Sequence, residues 1–352
     1  MLGYLLKRLL SGLLVLFGVV TIVFFLFNVL PGDAAQMTLG QRSDIASLEA
    51  VTKELGLDQP KSKQFALYLN DISPLSLHQH STEAADKYNY KRLIPLGDER
   101  WLVAKTPYLR RSYQSKATVN EILAGALPGT AILALAAMVM ATIIGLFLGA
   151  LAALYPQSWV DRLAVFLSII GISVPSYFAS IVVAWLFGYL WHDWTGLSMT
   201  GSLYHIDPFL GRQIAWENLI LPAFTLGLRP LAIIVQLSRN TFLEVLGMDY
   251  IRTARAKGLS ERQVLWRHVM RNALGPVVTA ISGWFASLLA GAVFVEFIFG
   301  WKGLGKVTVD ALMKFDMPVV MGSVLFISVA FVVINILVDF IYAWLDPRIR
   351  LQ

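Results

Sequence analysis

The chain has 352 residues, 57% of them hydrophobic and 15% charged, with a formal net charge of +6 and no cysteine. Charge this sparse lies well below the roughly one quarter found in soluble domains, and the missing cysteines exclude disulfides and thiolate metal sites. The basic excess sits largely in loops between apolar runs, where positive-inside bias accounts for it without a nucleic-acid partner.

Several apolar runs reach about 20 residues, the length that crosses a hydrocarbon core of about 30 Å as helix. They are continuous rather than alternating, so an all-α polytopic membrane protein is expected, with strands not expected. In chain order the runs are 9–30, 127–155, 163–190, 219–237, 273–299 and 319–345. The first follows Lys7 and Arg8 and resembles a secretory signal, but it is longer than a signal's apolar region and lacks a small-residue cleavage site. It reads as a retained anchor, 1–30. An extracytoplasmic insert, 31–117, comes next. Its Pro60, Pro74, Pro95 and Pro107 suggest short elements mixed with loops. The remainder, 118–352, is a five-helix core with a central loop at 239–272. Gly145 and Gly149 give the second run a small face for close helix contact. Pro175 is expected to interrupt the third run, and Pro222 and Pro230 the fourth. No internal repeat is visible.

Segment 239–271 carries seven Lys/Arg against three Asp/Glu, which places it in the cytoplasm. Arg348 and Arg350 follow the last run, and Lys7 and Arg8 precede the first. With six spans, both termini fall on the same side as the central loop.

That loop holds the most informative residues: Tyr250, Arg252, Thr253, Ala254, Arg255, Lys257, Gly258 and Leu259. Ala254 and Gly258 are four apart, so on a helix they share one face. Small side chains there would let another protein approach the backbone, with Arg252, Arg255 and Lys257 meeting carboxylates around it. Gly258 also suits a helix C-terminus. The plainer alternative is a basic loop held on anionic membrane lipid.

Residues 249–261, continuing through Arg267, His268, Arg271, Asn272 and Ala273, resemble the coupling loop of ABC importer permeases in the dipeptide/oligopeptide (peptide/nickel) form. Phe299 to Gly305 with Asp310, Asp316 and Pro318 is similar to the same family, as are Asp339 with Leu345 to Arg350 and the opening from Lys7 to Asp33. The resemblance covers the first span and nearly everything after Ala117. The general importer pattern has an acidic residue and two alanines before its glycine. Here Arg252, Thr253 and Ala254 stand there, and Arg271 stands where that pattern has proline, as is usual in the peptide branch. The insert aligns with nothing familiar.

The resemblance implies a multi-pass subunit of a bacterial inner membrane. Its partners would be a second homologous permease, two ABC ATPase subunits that carry ATP and Mg, and an extracytoplasmic solute-binding protein that delivers short peptides. The chain itself would hold no cofactor and catalyse no reaction. The helix around Thr253 and Gly258 would sit in a cleft of the ATPase.

Gly300 to Lys306 fits seven positions of a phosphate loop, but Val307 occupies the place of its magnesium-binding Ser/Thr. A tight glycine turn is the expected structure. Charges within spans need a partner or a purpose. Arg229 reads either as a cation on the translocation path or as half of a structural pair with a neighbouring acid. Glu296 and Asp339 are weaker path candidates: Glu296 is placed to snorkel to the interface, and Asp339 to serve helix packing or a gate. His78 and His80 read as an exposed polar pair, and no nucleophile and base come together. Two rival classes remain open. An ion-coupled secondary transporter would want more ionisable groups near the midplane. A membrane receptor or scaffold would bind its ligand through the insert and transport nothing.

Overall fold

The first apolar run folds as one helix, α1 (Leu2–Asn28). The computed structural model describes residues 2–28, 58–79, 88, 90–95, 100–207, 209 and 211–345. The expectations at Leu30, Pro31 to Asp33, His80 and Asp346 to Arg350 lie outside the described residues. The chain divides into two units, one formed by Leu9–Gly125 with Val307–Val329 and the other by Met1–Arg8, Ala126–Lys306 and Ala330–Gln352.

In the first unit, helix α2 (Lys61–Ile72) sets Phe65 and Tyr68 against Phe24 of α1, with ring centroids 5.0 and 5.9 Å apart. Strands β1 (Leu75–Gln79), β2 (Lys91–Pro95) and β3 (Arg100–Ala104) form an antiparallel sheet ordered β1-β3-β2. The all-α expectation is corrected here. Five-residue strands turn only two or three side chains inward, and a search for 20-residue apolar runs passes over them. Asp71, at the end of α2, is buried; it accepts the Tyr88 hydroxyl at 2.7 Å and pairs with Arg110 at 3.3 Å. Burial pushes the Tyr68 hydroxyl up to about 12, with Arg110 opposing and Asp71 assisting. Burial and then the Asp71 charge push Tyr88 higher still. Buried Asp316 accepts the Ser112 hydroxyl at 2.5 Å and the Tyr113 amide at 2.9 Å, fixing the segment that opens the last helix.

The second unit is built on long helices. Helix α3 (Val119–Leu154) continues across Pro128. Helix α4 (Trp159–Ser173) ends before Pro175, and α5 (Ser176–Trp185), prolonged by a π-helical turn at Leu186–Leu190, leaves at 112°. The third expected span is therefore a sharply bent pair. A short helix α6 (His192–Thr195) and a hairpin of β4 (Tyr204–Asp207) and β5 (Gly211–Ile214) follow. Helix α7 (Glu217–Leu246) is continuous across Pro222 and Pro230, both buried within it, which corrects the expected interruption. Gly145 and Gly149 do mark a close crossing. A Cβ on Gly145 would lie 2.7 Å from Ile234 Cγ2, and one on Gly149 2.6 Å from Ser238 Cβ, so α3 and α7 approach backbone to side chain.

Beyond α7 come α8 (Asp249–Ala256), α9 (Glu261–Val264), a π-helical turn at Leu265–Val269, α10 (Met270–Gly291), α11 (Val293–Ile298), α12 (Leu304–Met313) and α13 (Met317–Leu345). Among the described residues, α1, α3, α7 and α13 are long and apolar enough to cross a membrane, and the bent α4 and α5 pair adds a fifth span if it acts as one. The run 273–299, split between α10 and α11, is not among them, so four or five of the six expected spans are found among the described residues. A core of Leu133, Ala137, Leu226, Ile234, Val277 and Trp301 joins α3, α7 and α10.

Candidate functional site

Helix α8 is a small amphipathic cylinder with one buried face. Ile251 and Ala254, at 0% and 5% exposure, enter a cluster with Phe242, Val245, Val264, Val269 and Ala273. Burying an isoleucine this fully is worth about 1.5–3 kcal/mol, enough to anchor an eight-residue helix that could not stand alone. The expectation that Ala254 and Gly258 share an open small-residue face is corrected. Ala254 packs against the chain's own core, because Ile251 three residues earlier sets the inward direction. The open surface belongs to Tyr250 at 39% exposure, with Arg252, Thr253, Arg255, Lys257 and Gly258.

The end of α8 is defined hydrogen bond by hydrogen bond. The Gly258 amide donates to Arg255 O at 2.9 Å and the Leu259 amide to Ala254 O at 3.3 Å, the paired closure of a Schellman motif. Gly258 takes φ +81 and a Cβ on it would meet nothing within 4 Å. Its glycine is thus required by backbone conformation rather than by crowding. Leu259 folds back against the same cluster. Ser260 then opens α9 with a reciprocal capping box to Gln263. Arg255 bridges the turn, donating to both oxygens of Glu261 at 2.8 and 3.0 Å. This pairing, six residues apart across a glycine, has no helical-spacing signal in the sequence. It leaves Arg252 and Lys257 as the outward cations, with Arg252 only loosely paired to Asp249 at 3.5 Å. Acid at the start of α8 and bases at its end also suit the helix dipole.

The glycine turn before α12 is organised differently. Glu296 is fully buried and accepts from the Thr130 hydroxyl at 2.7 Å, the Gly305 amide at 2.7 Å and the Lys306 amide at 3.2 Å. Thr130 in turn accepts the Leu304 amide at 2.8 Å, and Trp301 Nε1 donates to Gly129 O at 2.9 Å. A Cβ on Gly303 would run into the Glu296 carboxylate, so its glycine is required by crowding. The first amides of a helix are where an anion binds. Here the protein's own carboxylate occupies that position, which explains both the resemblance to a phosphate loop and the tight turn. Glu296 therefore neither snorkels nor lines an open path, and its place among the path candidates is corrected.

Arg229 is exposed and lies near the middle of α7. Its Nη2 donates to Ile172 O at 3.4 Å, in the last turn of α4, where helix carbonyls run out of intrahelical amide donors. Among the described residues it forms no ion pair, so the expected pair with a neighbouring acid is not found. The acid that does cross between these helices is Asp161, paired through both oxygens with Arg239. Asp339 lies on α13, and its side chain lies outside the described residues.

Residues 145–351 match the family described as binding-protein-dependent transport system inner membrane component, and residues 1–85 match the N-terminal portion of the same type of protein. The chain is 33% identical over 365 residues to the dipeptide transport system permease protein DppB of Alkalihalophilus pseudofirmus, covering 99% of this chain and all of the relative. It is 34% identical over 350 residues to the glutathione transport system permease protein GsiC of Escherichia coli strain K12, covering 99% of each. Among solved structures, an inward-facing MetNI methionine ABC transporter chain superposes with a TM-score of 0.50 at 18% identity, over 64% of this chain and 97% of that one, a likeness of fold. With more than half its length in the family match and full-length relatives at 33% and 34% identity, the chain belongs to the binding-protein-dependent transport system inner membrane components, as a multi-pass permease subunit.

Proposed function

We propose that this permease is half of the translocation unit of an ATP-driven importer of short peptides, and that α8 is where force enters it. The observation that carries the reading is an open, basic, eight-residue helix seated on a buried spine of Ile251 and Ala254. A helix so mounted moves as one body with α7 and α10, so a push on its outer face reaches both. Tyr250, Arg252, Thr253, Lys257 and Gly258 form the contact surface for an ATPase subunit, while Ala254, Arg255 and Leu259 hold that surface in shape. ATP and Mg reside on two ATPase subunits. A second homologous permease completes the path, and an extracytoplasmic binding protein delivers the peptide.

In this reading the chain crosses the inner membrane six times, through α1, α3, the bent α4 and α5 pair, α7, α10 with α11, and α13. Both termini and α8 lie in the cytoplasm, and the insert lies outside. The named cargoes of the relatives, dipeptide and glutathione, are short peptidic molecules with free carboxylates, which supports the substrate class. The test is uptake of a labelled dipeptide and of glutathione into vesicles holding the whole transporter, with ATP supplied and a protonophore added. Uptake that needs ATP and survives the protonophore is expected. Uptake that collapses with the proton gradient while ATP is held constant would instead make this an ion-coupled carrier.

A further inference from the structure

The open surfaces of this unit's long helices are of two kinds. Helix α3 opens an apolar stripe of Leu135, Val139, Ile143 and Phe147, α4 opens Phe166 and Leu167, and α5 opens Phe178 and Ile181. Such faces suit lipid. Helices α7 and α10, packed on each other through the shared core, open differently. On α7, Arg229 and Asn240 are exposed and Gln236 half-buried, and at spacings of seven and four they lie on one side of the helix. On α10, Asn272, Thr279 and Ser287 are exposed, again along one side, with Gly275, Pro276 and Gly283 between them leaving the backbone open.

A charged or amide-bearing face at membrane depth is not tolerated against lipid and goes to water or to polar protein. Arg229 stands twelve residues into α7, about 18 Å from its start, so it lies well away from either end of a 30-residue helix. Among the described residues its one bond is the weak one to Ile172 O, and the side chain is exposed, so most of the guanidinium's five donors stay open. A planar cation with open donors, in a pathway of reduced dielectric, is matched to a carboxylate.

We infer that the polar sides of α7 and α10 line this subunit's share of the aqueous path, and that Arg229 is its binding point for the carboxylate of the passing substrate. The inference rests on the permease reading above and adds to it which faces meet water and which chemical group is held.

Because the chain has no cysteine, single cysteines can be read cleanly. In the intact transporter, in right-side-out and inside-out vesicles with and without ATP, Gln236→Cys, Asn240→Cys and Thr279→Cys should react with water-soluble methanethiosulfonates at least tenfold faster than Ile143→Cys, Phe166→Cys and Ile181→Cys. Ile233→Cys, one turn from Arg229, should favour the anionic reagent MTSES over the cationic MTSET, and Arg229→Gln should shift that ratio about tenfold toward MTSET. A dicarboxylic substrate should slow the MTSES reaction when Arg229 is present and not in Arg229→Gln. Stripe cysteines as inert as the three apolar controls would overturn the path assignment, and an MTSES to MTSET ratio indifferent to Arg229→Gln would overturn the carboxylate site. Neither readout requires uptake, so a failed importer assignment would show separately as accessible cysteines in a protein that transports no peptide.

Discussion

At Gly258 the chain turns in the open, around nothing; at Gly303 it turns around a buried carboxylate. Both turns sit in segments that the family resemblance marks, and both depend on glycine, yet for unrelated reasons. Gly258 supplies a left-handed backbone at the end of α8 and keeps an outer surface small. Gly303 supplies the absence of a side chain where Glu296 reaches the first amides of α12. In the proposed reading the first turn meets another molecule, whereas the second is already satisfied from within. A motif glycine thus says little until the space around it is known.

The contrast can be broken most severely at the buried turn. Glu296→Ala strands the Thr130 hydroxyl and the Gly305 and Lys306 amides, and each unsatisfied buried group costs about 1–3 kcal/mol. Folded yield and thermal midpoint in detergent should fall sharply, while Glu296→Gln, which keeps one acceptor oxygen, should fall less. An alanine variant as stable as the parent would remove the carboxylate from the centre of that turn.

Gly258→Arg should cost only about 1 kcal/mol of local stability yet abolish most ATP-driven uptake, since its side chain projects from the proposed contact surface. Gly258→Asn tolerates the left-handed conformation and should keep most uptake. Normal uptake by Gly258→Arg would remove this turn from the contact surface. A smaller effect is expected from Arg255→Glu and Glu261→Arg singly, since exposed ion pairs contribute at most about 1 kcal/mol. The double exchange should recover the lost stability and coupling if the pair's task is to brace α8 on α9. The smallest effect concerns the insert. Tyr68 is held up to about 12 chiefly by burial, so its neutral hydroxyl belongs to the folded state. Stability should be untouched below the ordinary tyrosine range near 10 and decline as pH rises from there toward about 12. Tyr68→Phe should lessen that decline in an alkaline melting series.

The helical framework was legible because lipid imposes its own length on a sequence: α1, α3, α7 and α13 fall almost where their apolar runs do. The close α3 and α7 crossing was legible in Gly145 and Gly149 for a similar reason, since small residues four apart have few other uses in a span. What escaped has a physical cause in each case. The strands of the insert are too short to leave a hydropathy signature. Pro222 and Pro230 carry no sign of whether packing will hold the helix together across them. The inward turn of Ala254 depends on Ile251 finding a pocket made by Phe242 and Val264, residues that become neighbours only after folding. Glu296 reads in sequence as a membrane-edge acid because its three donors come from Thr130 and from a turn nine residues on. The segment proposed for coupling was visible as a string of small and basic residues, but which of them face outward was not.

The most direct trial of the central claim is a single cysteine at Thr253, on the open face of α8. In the whole transporter, where this chain has no other cysteine, Thr253→Cys should react with a membrane-impermeant maleimide only in inside-out vesicles, and a short thiol-directed crosslinker should join it to an ATPase subunit. Labelling from the outer side, or crosslinks to no such subunit in a complex that still imports, would contradict the account.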